Sequence, residues 1–127
     1  MKRLIGTIAL ALLLLAVGLW FFKIGEKRAY FSSGKDFFFY TAFLFDDATV
    51  FSRGFSEEKF KGVRAGQTKQ DVRVALGEPI SKDIDKKTHQ EYWRYSQAPN
   101  NRNYWFRVVV FGTDDRVEEV DRHYFVD

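Results

Sequence analysis

Cysteine is absent from this 127-residue chain, which therefore forms no disulfide and offers no thiolate to a zinc site. Histidine is scarce: His89 and His123 are the only two, they lie near opposite ends of the β-rich sequence, and without cysteine they do not complete a metal-ligand set. Excess charge is also missing from most of the chain. The formal net charge is +3, but residues 55–127 hold 13 Lys and Arg against 13 Asp and Glu, while residues 1–54 hold seven against four. A neutral C-terminal part argues against a nucleic-acid face, and a basic excess near the N-terminus suits the flanks of a membrane segment beside anionic headgroups.

Catalytic signatures are missing as well. Ser, Thr and Lys occur without a nucleophile elbow or a phosphate loop around them. Asp83, Ile84 and Asp85 outline the start of a calcium loop, yet its sixth position is Thr88 rather than glycine and its twelfth is Arg94 rather than glutamate, which leaves a solvated turn. Asp114 and Asp115 fall where a hairpin needs turn residues, so their pairing follows from geometry without acid and base roles. No enzyme, cofactor or metal is expected.

What the chain has in abundance is apolar sequence at its start. A basic n-region, residues 1–3, precedes an uncharged run from Leu4 to Phe22, 19 residues, which at roughly 1.5 Å per residue approaches the ~30 Å of a bilayer core. A cleaved secretory signal is the competing reading. Ala16, Val17 and Gly18 resemble a cleavage site, but Leu19, Trp20, Phe21 and Phe22 carry the apolar run through it. A retained transmembrane signal anchor is favoured, with Trp20, Phe21 and Phe22 beside Lys23 suited to a membrane interface.

Residues 23–35, which include Ser32, Ser33 and Gly34, read as a flexible linker. Residues 36–54 form an aromatic segment. Its stretch Phe37–Phe45, FFFYTAFLF, carries seven bulky apolar residues in nine and is too short to span a bilayer. Two readings stay open. The favoured one is a packed strand, hairpinned through Asp46 and Asp47 to Thr49–Phe51 and added to the sheet or laid across the helices. The other sets the aromatics on the membrane surface or on a partner.

The stretch Phe60–Pro79, FKGVRAGQTKQDVRVALGEP, encodes one capped helix. Gly66 supplies a permissive turn, Thr68 is the expected N-cap and Asp71 stands three residues on, near a capping box. Val72, Ala75 and Leu76 make one apolar stripe, and Gly77 with Pro79 stops the helix. A shorter helix precedes it. After a polar connector, Ile80–Thr88, come three β-rich segments: His89–Ser96, Tyr104–Gly112 and Arg116–Val126. Alternation puts Trp105, Arg107, Val109 and Phe111 on one face of the middle segment and Tyr104, Phe106, Val108 and Val110 on the other. Both faces are apolar, as in a central strand covered on one side by the helices and on the other by Phe37–Phe51, a partner, or both. Trp93 and Tyr95 are expected to pack under Val72 and Leu76. Val117 and Val120 do not alternate in phase, which calls for a bulge or two-sided burial.

Val63, Gly66, Thr68, Val72, Leu76, Gly77, Pro79, Trp93 and Tyr95 match positions of the phrase V-x-x-G-M-T-x-x-x-V-x-x-x-L-G-x-P and the W-x-Y strand that follows it. Over residues 55–127 the chain thereby resembles the BamE (SmpA/OmlA) family of outer-membrane assembly lipoproteins, with Gln67 in place of the usual Met. The family attaches its lipid to a cysteine after the signal peptide, and this chain has none. The resemblance implies an α+β domain, two helices packed on a three-stranded antiparallel sheet in the order α-α-β-β-β, here preceded by an N-terminal transmembrane helix.

It further implies a non-catalytic accessory of envelope or outer-membrane protein assembly, with envelope proteins and phospholipid as partners and no nucleic acid. The expected location is the inner membrane, single-pass, with the C-terminal domain in the periplasm; secretion to the periplasm after signal cleavage is the alternative. The candidate interaction surface comprises Arg94 in the first β-rich segment and Arg102, Tyr104, Trp105 and Arg107 in and after the polar loop Gln97–Asn103. A second functional class stays open, because the same architecture resembles the repeated unit of β-lactamase-inhibitor proteins, which present a sheet and its loops to an enzyme. A periplasmic domain that binds lipid or a small molecule is a third, and needs a pocket between Phe37–Phe51 and the sheet.

Overall fold

Helix α1, Lys2–Lys27, has no buried residue: its apolar run is exposed through Leu19, and only Trp20, Ile24 and Lys27 are partly covered by the rest of the chain. The computed structural model describes residues 1–127. By length and composition α1 is able to cross a membrane, and its place near the N-terminus equally fits a signal sequence. A 3₁₀ turn, Arg28–Tyr30, joins it to α2, Gly34–Ala42. Then follow β1 (Val50–Phe51), α3 (Glu57–Lys61), α4 (Lys69–Leu76), β2 (Ser81–Ile84), β3 (Glu91–Arg94), β4 (Ser96–Gln97), β5 (Tyr104–Phe111) and β6 (Val117–Phe125).

The fold is α+β, with a four-stranded antiparallel sheet in the order β2-β3-β5-β6 and a two-stranded ribbon, β1-β4. The expected three-stranded sheet is thus corrected to four. The stretch read as a polar connector contributes β2, which pairs with β3 from Ser81 opposite Arg94 to Ile84 opposite Glu91. An edge strand with one neighbour and solvent beyond needs no apolar alternation, so Ser81, Lys82 and Asp83 gave no strand signal.

Helix α4 forms as its residues dictate. The Thr68 hydroxyl accepts from Asp71 N–H at 3.1 Å, and the Asp71 carboxylate accepts from Thr68 N–H at 3.0 Å, which satisfies two of the free donors of the first turn. Gly77 ends it at φ +77°, a conformation that costs a residue with a Cβ. Gln67 accepts from Arg64 N–H through its side-chain oxygen at 3.0 Å. Val72 and Leu76 meet Phe60, Val63, Trp93, Tyr95, Val109, Phe111 and Val117 in the first apolar cluster. The register of β5 and β6 shifts between Val110 and Phe111, which brings Val117 opposite Phe111 and resolves the phase of Val117 and Val120.

The aromatic segment corrects the favoured strand reading. Phe37–Phe45 is mostly helical, with Asp36 and Tyr40 one turn apart on the buried side of α2. Only Val50–Phe51 adopts strand structure there, paired with Ser96–Gln97. Tyr40 joins Trp105 and Tyr124 in a second cluster, padded by Ile24, Tyr30, Phe31, Phe45, Phe51 and Val126. Residues 23–35 are accordingly not a slack linker: α1 runs on through Lys27, and Tyr30 and Phe31 pack against the ring of Trp105 with centroids 5.8 and 5.5 Å away.

Candidate functional site

The two faces of the sheet have unequal fates. Trp105 and Tyr124 with the second cluster, and Trp93, Val109, Phe111 and Val117 with the first, lie on one face, and every helix residue in either cluster covers that side. The aromatic segment covers the same face further along and not the far side, contrary to the expectation that Phe37–Phe51, a partner, or both would cap it. No helix covers that far side, on which Val108 and Val110 are buried between their cross-strand neighbours while Tyr104 and Phe106 are half-buried.

The expected interaction surface divides along this line. Trp105 and Arg107 are fully buried. Both belong to the covered face, where α2 and the chain around Tyr30 close over them. Arg107 separates the two apolar clusters. Its Nε donates to Glu57 at 2.9 Å and its terminal nitrogens donate to the carbonyls of Tyr30 and Phe106 at 2.7 and 2.8 Å. Arg122, opposite it on β6, donates to Glu57 at 3.0 Å and to the Ala29 carbonyl at 3.0 Å. Burial pulls the Arg107 guanidinium below its usual range, and Glu57 opposes that shift. The arginine read as a surface contact is a structural bolt between the sheet, α3 and the end of α1.

Arg94, Arg102 and Tyr104, by contrast, come together. With Ser96, Phe125 and Asp127 they line a cleft of about 240 Å³ at one end of the open face. Arg94 pairs with the exposed Asp83 at 3.2 Å, a carboxylate that an incoming anion can replace, and Arg102 pairs with the half-buried Asp46. Burial raises the Tyr104 hydroxyl above its usual value, which keeps it a neutral donor.

Beside the cleft runs a row of four half-buried rings. Tyr104 lies 5.3 Å from Phe125, Phe106 stacks on His123 at 4.8 Å, and Phe106 and Phe125 are 6.1 Å apart. Cross-strand register explains the row, since Tyr104 faces Phe125 and Phe106 faces His123 across β5 and β6. His123 Nδ1 lies 2.8 Å from Asp121. No family model matches this chain, and no curated protein does. The candidate site stands on its own geometry: an open aromatic strip flanked by two arginines.

Phe106, His123 and Phe125 were not singled out from sequence. The signal was present in the alternation of β5, but alternation assigns residues to a face without saying which face a helix covers. The nine motif residues lie elsewhere. Val63, Val72, Leu76, Trp93 and Tyr95 are core, Thr68 and Gly77 are caps, Gly66 takes φ +90° and donates to Val117 O at 2.8 Å, and Pro79 follows the helix end. Tyr95 also donates its hydroxyl to Gly77 O at 3.0 Å, tying β3 to the end of α4. Asp85 accepts from Lys87 and Thr88 N–H at 2.7 and 2.9 Å, and Asp114 accepts from Arg116 N–H, so these carboxylates shape turns. A broader depression of about 640 Å³ at the other end of the hairpin is lined by polar turn residues and Val117 alone among apolar ones.

Proposed function

We propose that this chain is a non-catalytic, membrane-tethered envelope protein, single-pass in the inner membrane with its C-terminal domain in the periplasm. In this reading it is an accessory of outer-membrane or envelope protein assembly, and it acts by holding an open sheet face against another protein. The observation that carries the reading is the aromatic strip Tyr104, Phe106, His123 and Phe125 beside Arg94 and Arg102, on a domain bolted to a helix of spanning length. Aromatic and arginine side chains are the residue types that anchor protein interfaces. The resemblance of residues 55–127 to the BamE family supplies the assembly role, with phospholipid as a further contact. Confinement beside a bilayer raises the effective concentration of two partners in it, so a weak interface suffices.

The test replaces Phe106 and Phe125 by glutamate in the full-length protein and follows the heat-modifiable folding of outer-membrane β-barrels in cells that carry only the variant. Slower accumulation of folded barrels, with the variant still in the membrane at normal abundance, is the expected result. Unchanged barrel folding in cells lacking the protein altogether would sink the assembly role.

The open strip also favours a second reading, an inhibitory or regulatory module like the unit of β-lactamase-inhibitor proteins. The two part on location. Release of a soluble periplasmic form after signal cleavage supports the diffusible inhibitor, whereas an intact N-terminus in the membrane fraction supports the tethered accessory.

A further inference from the structure

Helix α2 has one face committed and one face free. On the committed side Asp36 accepts from Ser32 N–H at 2.7 Å and from Tyr124 N–H at 2.9 Å, while Tyr40 packs between Phe45, Trp105 and Tyr124. These contacts fix the roll of the helix. On the other side Phe38 is 64% exposed and Leu44 at the helix end is 84% exposed, with Phe37, Phe39 and Phe43 each exposed by more than a third. Five large apolar side chains in eight residues form a contiguous patch of a kind that soluble surfaces seldom leave uncovered.

The level of this patch along α1 follows from one contact. Phe37 meets Trp20 edge-on with ring centroids 6.0 Å apart. Trp20 lies two residues inside the end of the uncharged run, which at ~1.5 Å per residue is about 3 Å within the apolar band. When α1 occupies a bilayer, the boundary between acyl chains and headgroups therefore passes at the level of α2. Lys23, which pairs with Glu26, and Lys35 beside Phe37 are exposed near this level, and Arg28 is exposed further out, about 12 Å beyond Trp20 at ~1.5 Å per residue, so that basic side chains border the patch on its headgroup side.

We propose that α2 is an interfacial helix: Phe37, Phe38, Phe39, Phe43 and Leu44 seat in the headgroup–acyl boundary of the bilayer that holds α1 and give the domain a second lipid contact. The proposal rests on the reading of α1 as membrane-spanning. It differs from a slack tether in its consequence. Two lipid contacts fix how the domain stands on the membrane, and the open strip then faces away from α2, because Tyr104, Phe106, His123 and Phe125 lie on the opposite side of the sheet from the Trp105 and Tyr124 that α2 covers.

The absence of native cysteine makes the test direct. Full-length Phe38→Cys, Leu12→Cys and Lys87→Cys variants each carry one spin label in nanodiscs of phosphatidylcholine and phosphatidylglycerol, and collision with oxygen and with a water-soluble nickel chelate is measured. None of the three residues belongs to either apolar cluster, so the fold tolerates the labels. The expected result is a Phe38 label that oxygen relaxes and nickel does not, close to the Leu12 label and opposite to the Lys87 label. A Phe38 label as open to nickel as Lys87, with Leu12 in lipid, overturns the proposal and leaves the anchor standing. A Phe38 label shielded from both probes overturns it in favour of a protein contact on α2. A Leu12 label in water overturns the anchor and the proposal together.

Discussion

The cluster beneath α3 and α4 and the cluster beneath α2 lie end to end on one face of the same sheet, and they are assembled by different means. The first draws its buried residues from 60–117 and mixes valines and Leu76 with Trp93, Tyr95, Phe60 and Phe111. Its helices carry their own start and stop signals. The second has three buried residues, Tyr40, Trp105 and Tyr124, all aromatic, and its packing partners come from 24–51 and the far end of β6. Its helix α2 has no side-chain cap, and its position is set by long-range polar contacts from Asp36, Asp47 and Asp46. Trp105 donates to Asp47 at 3.2 Å, Lys27 pairs with Asp47 at 2.8 Å, and the Tyr124 hydroxyl donates to the Asp46 carbonyl. Between them stand Arg107, Arg122 and Glu57, and the apolar link at their margin is the stacked pair Phe51 and Phe55, 4.4 Å apart. One half of this molecule is a self-specified domain, and the other is a fitting that attaches α1 to it.

That division is broken most severely at the boundary. Glu57→Ala leaves two arginines buried or half-buried without their shared carboxylate, and is expected to destabilise the protein by about 3–5 kcal/mol, the range for removing one partner of a buried pair. Trp93 and Trp105 report on the first and second clusters separately. Single-tryptophan versions should show both environments loosening in thermal unfolding of the detergent-solubilised protein. Loss at Trp105 alone would mean that the first cluster does not depend on the bolt.

A change confined to the first half is the next in size. Thr68→Ala removes the cap of α4 and should cost about 1 kcal/mol, with faster hydrogen exchange at residues 72–76. Exchange at Tyr40 and Trp105 should not change; if it does, the clusters unfold as one unit.

The smallest effect is confined to the second half and appears with pH. Burial pushes the Asp47 carboxyl up, but hydrogen bonds from Lys27 and Thr49 outweigh it and hold the group below its usual range. A carboxyl depressed in the fold stabilises it fully above the unfolded value of ~3.9, and this contribution is lost as pH falls through the lower folded value. Asp47→Asn should therefore lower the melting temperature at neutral pH and flatten the acid limb of the stability profile. An acid limb identical to that of the parent protein would show that Asp47 is not the group responsible.

The sequence made the first half legible because its signals are local. Thr68, Asp71, Val72, Leu76 and Gly77 act within ten residues of one another, and β5 and β6 announced themselves by runs of β-branched and aromatic residues. The second half was obscured for two reasons. Phe37–Phe45 is aromatic on every side, so its helical period is carried by Asp36 and Tyr40 alone, and its partners Trp105 and Tyr124 lie more than 60 residues away in the chain. At the candidate site, Arg94, Arg102 and Tyr104 were found because polar loops and their flanks display such residues. Trp105 and Arg107 were misplaced because coverage of a sheet face is a tertiary property, invisible to alternation. Strand β2 was lost to the same kind of ambiguity, since Ser81, Lys82 and Asp83 are equally suited to an edge and to a loop.

The carbonyls of Ala29 and Tyr30 accept from arginines rooted in β5 and β6, which leaves no free chain between α1 and the sheet. A domain on a loose tether explores a sphere of orientations and must find its partner among them. Under the proposed tether, with α1 in a bilayer, the domain follows the rotation of the helix, and the open strip sweeps a ring at constant height as the helix spins about its own axis. In that proposal the encounter becomes a search over one angle, and height above the membrane selects which partners the strip can meet.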